Sequence, residues 1–165
     1  MESVAAIGST IDDEGITRPP LRCLVSSVPS DAHTWGLVTL QLLLEQLGHT
    51  VTNLGSCPPQ ELILDACRRL RPDLLVLSTT NGHGHLDGAR LIRRIRADSE
   101  LKGLHVVIGG KLSCTGDDAV APIASLHATG FDAVFDEADG LQPFVALVRK
   151  LAAARGVRGI PIPVG

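Results

Sequence analysis

Five short apolar runs, separated by amphipathic stretches, are the feature that most restricts how this chain can fold. The runs are Leu21–Val28, Thr50–Leu54, Leu74–Ser78, Leu104–Ile108 and Ala133–Phe135. Short runs rich in Val, Leu and Ile suit strands buried on both faces. Between the first two, Leu37, Leu40, Leu43, Leu44 and Leu47 recur at steps of three and four, which predicts a helix over Thr34–Leu47 stopped by Gly48. Pro58-Pro59 opens a second helix with Glu61 in its first turn and Leu62, Ile63, Ala66 and Leu70 on its apolar face. A third helix begins near Asp87, after the Gly-rich loop Thr79–Leu86, and turns Leu91, Ile92 and Ile95 inward. The fourth is expected over about Asp118–Ala128 and the fifth over Gly140–Arg155.

Repeated strand–helix units demand parallel strands joined by right-handed crossovers. The expected fold is therefore α/β: a flavodoxin-like, doubly wound, five-stranded parallel sheet of order 2-1-3-4-5 with helices on both faces. At 165 residues one domain is expected, over residues 21–155. Residues 1–20 read as a polar, mobile N-terminal tail. Residues 156–165 read as a C-terminal tail, since Pro161 and Pro163 cannot continue a helix.

Composition narrows the function classes. A net charge of −3 gives no electrostatic case for nucleic acid. No apolar run approaches the ~18 residues of a membrane span, and no basic-then-apolar leader opens the chain. Cys23, Cys57, Cys67 and Cys114 are scattered with no Cys-x-x-Cys, so free thiols and a cytoplasmic location are expected. Cys23 and Cys67 fall on apolar faces and read as packing residues. Arg90, Arg93, Arg94 and Arg96 read first as a solvated helix face and second as a contact for a partner.

In such a sheet, ligands bind at the carboxyl ends of the strands, beside the switch point between strands one and three. Three segments fall there: Asp31-Ala32-His33-Thr34-Trp35-Gly36, Ser78-Thr79-Thr80 and Gly109-Gly110. A neutral imidazole is a good ligand for a transition metal, and a nearby carboxylate can fix its tautomer. Each segment also has a plainer explanation. Asp31 could cap a helix, Ser78 could bond its own loop, and the Gly pair could be a strand-ending turn. His83, His85 and Asp87 supply ligand types for a separate metal site but no fourth ligand.

Together, Asp31-x-His33-x-x-Gly36, Ser78-x-Thr80 and Gly109-Gly110, separated by Leu37–Leu77 and Asn81–Ile108, resemble the signature of the cobalamin-binding domains of adenosylcobalamin-dependent mutases and corrinoid methyltransferases. Pro59-Gln60-Glu61-Leu62, Gly82-x-Gly84-x-x-Asp87 and Ile108-Gly109-Gly110 resemble the small subunits of glutamate mutase within that family. The resemblance covers about Leu21 to Leu151. It implies adenosylcobalamin as cofactor, with His33 as lower axial ligand to cobalt and Asp31 holding the ring. Ser30, Ala32, Thr34 and Gly36 would flank the ligand. Ser78, Thr79, Thr80, Gly109 and Gly110 would line the pocket of the displaced nucleotide base, followed by the loop Lys111, Leu112, Ser113, Cys114 and Thr115. One departure stands out: the family's Ser-x-Leu is Ser78-x-Thr80 here.

The same resemblance implies an isomerase that works only as a complex. A separate large barrel subunit of about 250 residues would hold substrate, in a heterotetramer that interconverts L-glutamate and threo-3-methylaspartate. Two other classes compete. A corrinoid methyl carrier usually has a helical bundle before the cobalamin domain, where this chain has only a short polar lead. A flavodoxin-like regulatory module, such as a receiver, needs acidic residues where Ser26-Ser27 and Ser78 stand. A flavodoxin lacks support in a chain without Tyr.

Overall fold

A computed structural model of the chain describes residues 10–11, 17–81, 84–112 and 120–157. Its main elements are β1 (Arg22–Ser27), α1 (Trp35–Gln46), β2 (Thr50–Asn53), α2 (Gln60–Leu70), β3 (Leu74–Thr79), α3 (Gly84–Ala97), β4 (His105–Gly110), α4 (Val120–Thr129), β5 (Ala133–Asp136) and α5 (Gln142–Val157). The five strands form one parallel sheet in the order β2-β1-β3-β4-β5. That is the expected 2-1-3-4-5 arrangement.

Alternation along each strand divides the core into two layers. On one face Leu24, Leu75, Leu77, Val106 and Ile108 pack against Ile63, Leu64, Leu91, Ile92, Ile95 and Leu126 of α2, α3 and α4. On the other, Cys23, Val25, Val76 and Val107 meet Leu37 and Leu44 of α1 and Phe144 and Val148 of α5. The side chains of Cys23 and Cys67 are buried, as their apolar settings imply, and burial pushes both thiols up to about 12. Buried His49 accepts the Leu21 N–H at Nδ1, 3.3 Å away, and burial holds its pKa below the usual histidine value.

Local chemistry explains the boundaries. Gly48 ends α1 with φ +84°, and its N–H and that of His49 return to the carbonyls of Glu45 and Leu44. Pro59 caps α2, and Glu61 sits in its first turn. The third helix starts at Gly84, three residues before the expected Asp87. A Cβ on Gly84 would lie 2.0 Å from Thr79 Oγ1, so this glycine permits the first turn of α3 to press on β3. It marks close packing rather than a loop.

The basic residues of α3 are partly spent inside the fold. Arg94 pairs with Glu61 at 2.5 Å, while Arg96 bonds Asp132 at 2.8 Å and the carbonyls of Gly130 and Leu104. Thr10–Ile11 and Thr17–Arg18 pair antiparallel, and the second of these pieces lies against α5. No helix among the described residues is long and apolar enough to cross a membrane.

Candidate functional site

The carboxyl edge of the sheet holds one register row that defines the site. Ser27 pairs with Ser78, Ser78 with Gly109, and Gly109 with Phe135. Paired residues of parallel strands point to the same face, here the face covered by α1 and α5. Where the row has only a hydroxyl and a hydrogen, the layer stays open. A cleft of about 270 Å³ results, bounded by Gly36 and Leu40 of α1, Ser78 of β3, Gly109 of β4, and Phe135 and Phe144. Thr80, Lys111, Asp136 and Glu137 also line it. Phe135 and Phe144 meet edge to face, with centroids 5.7 Å apart.

Three glycines keep this region narrow. A Cβ on Gly36 would come within 2.9 Å of Ser78 Oγ, so α1 passes directly over that serine. A Cβ on Gly109 would stand 3.3 Å from Phe135. Gly110 has φ +120° and closes β4 onto β3, where a Cβ would meet the Thr79 carbonyl oxygen. Ser78 Oγ, whose residue is 9% exposed, has no hydrogen-bond partner among the described residues. Its hydroxyl is therefore not tied to its own loop.

Beside the cleft, the loop from β1 to α1 carries the strongest polar arrangement. Asp31 is 1% exposed and its carboxylate is used on both oxygens. Oδ1 accepts the backbone N–H of His33 at 2.9 Å and lies 2.7 Å from His33 Nδ1. Oδ2 accepts the N–H of Thr80 at 2.5 Å and its hydroxyl at 3.4 Å. Burial works against the Asp31 charge, but the bonds from the His33 and Thr80 backbones and the His33 ring outweigh it, so its pKa lies below the usual carboxylate value. Asp31 does not cap α1: the cap position is Thr34, without a side-chain bond.

The carboxylate fixes the imidazole with the proton on Nδ1, which leaves the Nε2 lone pair for another group. The His33 side chain is 67% exposed, and Nε2 has no partner among the described residues. That donor faces outward, as a ligand to a bound metal must. The loop is braced from behind: Ser27 Oγ donates to the carbonyls of Asp31 and Val28 and accepts the Cys57 N–H at 2.9 Å. Asn81 Nδ2 donates to the Ser30 carbonyl, also at 2.9 Å.

The residues singled out by sequence divide into groups. Gly36, Ser78, Thr80, Gly109, Gly110 and Lys111 line the cleft, and Asp31 and His33 stand next to it through Thr80. Ser30, Ala32 and Thr34 are exposed along the His33 loop. Thr79 and Leu112 point elsewhere. Alternation turns buried Thr79 toward Gly84 of α3, and Leu112 belongs to the apolar layer with Leu126. Ser113, Cys114 and Thr115 lie outside the described residues, as does His83. Among the described residues no group of three His, Cys, Asp or Glu side chains could hold an ion. Missed from sequence were Leu40, Phe135, Leu141 and Phe144. The available signal was Asp136-Glu137 at the end of β5, another strand end on the same edge.

A second cavity, of about 280 Å³, opens at the opposite edge, near Leu21, Asp73, His105 and Arg155. Its central charges are spent on each other, in an ion pair between Asp73 and Arg155.

The chain resembles known proteins over most of its length. A family described as the B12 binding domain matches residues 21–142. The glutamate mutase sigma subunit of Treponema denticola is 28% identical over 115 residues, 70% of this chain and 82% of that protein. That of Fusobacterium nucleatum is 24% identical over 78% of this chain and 94% of its own length, and sigma subunit 2 of Haloarcula marismortui is 30% identical over 68% and 75%. Among solved structures, a cobalamin-binding protein from Desulfitobacterium hafniense superposes with a TM-score of 0.62 at 21% identity, over 80% of this chain and 59% of that one. This chain thus spans about three fifths of the length of that protein. A response regulator from Chloroflexus aurantiacus also scores 0.62, at 20% identity over 81% and 98%. Equal scores for two such different proteins carry the fold alone, and the site separates them. The matched family, the glutamate mutase sigma relatives and the glycine-walled cleft beside His33 agree: the chain belongs to the B12-binding domain family.

Proposed function

We propose that this chain is the cobalamin-carrying subunit of an adenosylcobalamin-dependent carbon-skeleton mutase that interconverts L-glutamate and threo-3-methylaspartate. The observation that carries the reading is the His33 ring, held at Nδ1 by a buried carboxylate with Nε2 left for a metal. The cleft fits the cofactor's displaced nucleotide tail in kind. It is narrow, walled by glycine and aromatic side chains, and offers the unspent hydroxyl of Ser78.

In this reading His33 donates Nε2 to cobalt and Asp31 holds the tautomer and orientation of the ring. Ser78 donates to a ring nitrogen of the base. Gly36 and Gly109 admit the base between α1 and the sheet, and Lys111 lines the cleft, where the backbone N–H of this residue is already given to the Thr79 carbonyl. When bound, adenosylcobalamin supplies a cobalt–carbon bond whose homolysis starts radical chemistry. This chain holds and shields that cofactor. In this reading substrate binding falls to a separate large barrel subunit, in a heterotetramer in the cytoplasm.

The test is reconstitution. The purified chain, adenosylcobalamin and the large subunit of glutamate mutase from Treponema denticola are mixed, and threo-3-methylaspartate formed from L-glutamate is measured. Turnover that needs both chains supports the reading. Cobalamin bound through His33 without turnover with this or any other glutamate mutase large subunit would move the chain to another corrinoid function.

A further inference from the structure

Thr80 is the residue that joins the two halves of the site. It lines the cleft, and it gives the Asp31 carboxylate two hydrogen bonds on Oδ2, while His33 uses Oδ1. Its two donors differ in kind. The backbone N–H, at 2.5 Å from Oδ2, is fixed by the chain. The hydroxyl, at 3.4 Å from the same oxygen, sits on an exposed side chain and turns about one bond. The leucine of the family signature has no such hydroxyl.

We propose that Thr80 is a positioning residue that couples occupation of the cleft to the donor strength of His33. With the cleft open, the hydroxyl lies on Asp31 Oδ2 and draws charge from the carboxylate. An occupant with a hydrogen-bond acceptor near Thr80 takes that hydroxyl away. Asp31 then concentrates its charge on His33 Nδ1–H, and the imidazole becomes a stronger donor at Nε2. The inference rests on the cobalamin reading above and adds to it a link between tail insertion and metal ligation.

The test uses the full chain loaded with Co(II) cobalamin or with Co(II) cobinamide, which lacks the nucleotide tail. The electron paramagnetic resonance nitrogen splitting is recorded for the native chain, Thr80→Val and Thr80→Ser. Valine keeps the shape and removes the hydroxyl; serine keeps the hydroxyl. The expected result is a wider nitrogen splitting with cobalamin than with cobinamide in the native chain and in Thr80→Ser. In Thr80→Val the two corrinoids should give the same splitting, at the wider value. An equal difference between the corrinoids in all three proteins, or none in the native chain, overturns the coupling while leaving His33 as ligand. No histidine splitting in any protein overturns the ligand reading itself, and the coupling with it.

Discussion

Replacing Asp31 by Asn tests the central hydrogen-bond arrangement without changing its shape. The carboxylate offers two acceptors and no donors, and it receives the His33 N–H and Nδ1–H on one oxygen and the Thr80 N–H and hydroxyl on the other. An amide has one acceptor oxygen, so one side must present donors to donors. Turning the NH₂ toward Thr80 opposes the shortest bond of the set, 2.5 Å. Turning it toward His33 strands that residue's backbone N–H and forces Nδ1 to accept, which moves the ring proton to Nε2. The second choice is cheaper, and it blocks the nitrogen that would ligate a metal. Charge-assisted hydrogen bonds contribute about 1.5–3 kcal/mol each. With one lost and the others weakened, the variant should be about 2–4 kcal/mol less stable than the native chain at pH 7, read from urea unfolding. The pH dependence follows from the lowered Asp31 pKa. A carboxylate with a depressed folded pKa stabilises the fold fully above the unfolded value, about 3.9, and loses that contribution as pH falls through the folded value. The gap between the two proteins should therefore be flat from pH 7 to about pH 5 and narrow below about pH 4. A gap under about 0.5 kcal/mol at neutral pH, or one that does not narrow in acid, would refute the arrangement.

Other substitutions probe the cleft and the core. Gly110→Ala meets the Thr79 carbonyl at φ +120°, and should cost about 3 kcal/mol or more in urea unfolding. Gly103→Ala, with nothing within 4 Å, should be neutral or stabilising by up to about 1 kcal/mol in the same assay. Ser78→Ala removes a hydroxyl with no partner among the described residues, so stability should change by less than about 0.5 kcal/mol while cobalamin binds roughly tenfold more weakly, the worth of one hydrogen bond. In a Cys114→Ser background a thiol reagent should label exposed Cys57 in the native protein. Buried Cys23 and Cys67, with thiols near 12, should react only after unfolding.

Much of this molecule was legible in its sequence, for reasons that are local. The five apolar runs and their helices gave the strand order, because alternation of these elements leaves few topologies. Asp31 and His33 are two residues apart, so their contact needs only the turn between them. Less legible were features set by approach between distant segments. Gly84 reads as a loop breaker, yet it serves to seat α3 on Thr79. Thr79 and Leu112 sit next to site residues in sequence, but strand alternation and the return of the chain into the core turn them away. Phe135 and Phe144 carry no motif: the register of β4 with β5 brings Phe135 to the cleft, and Phe144 reaches it from α5, edge to face on Phe135. Thr80 appeared as a departure from a pattern. Its bonds to Asp31 span 49 positions, a contact that spacing does not reveal.

The most direct test of the account is the electron paramagnetic resonance spectrum of the chain with Co(II) cobalamin, for the native protein and His33→Gly. The account predicts a nitrogen triplet in the native protein that becomes a doublet when histidine is labelled with ¹⁵N, and a spectrum of His33→Gly that the label leaves unchanged. A spectrum equal to that of free cobalamin in both proteins, at concentrations where cofactor and chain co-elute, would contradict it.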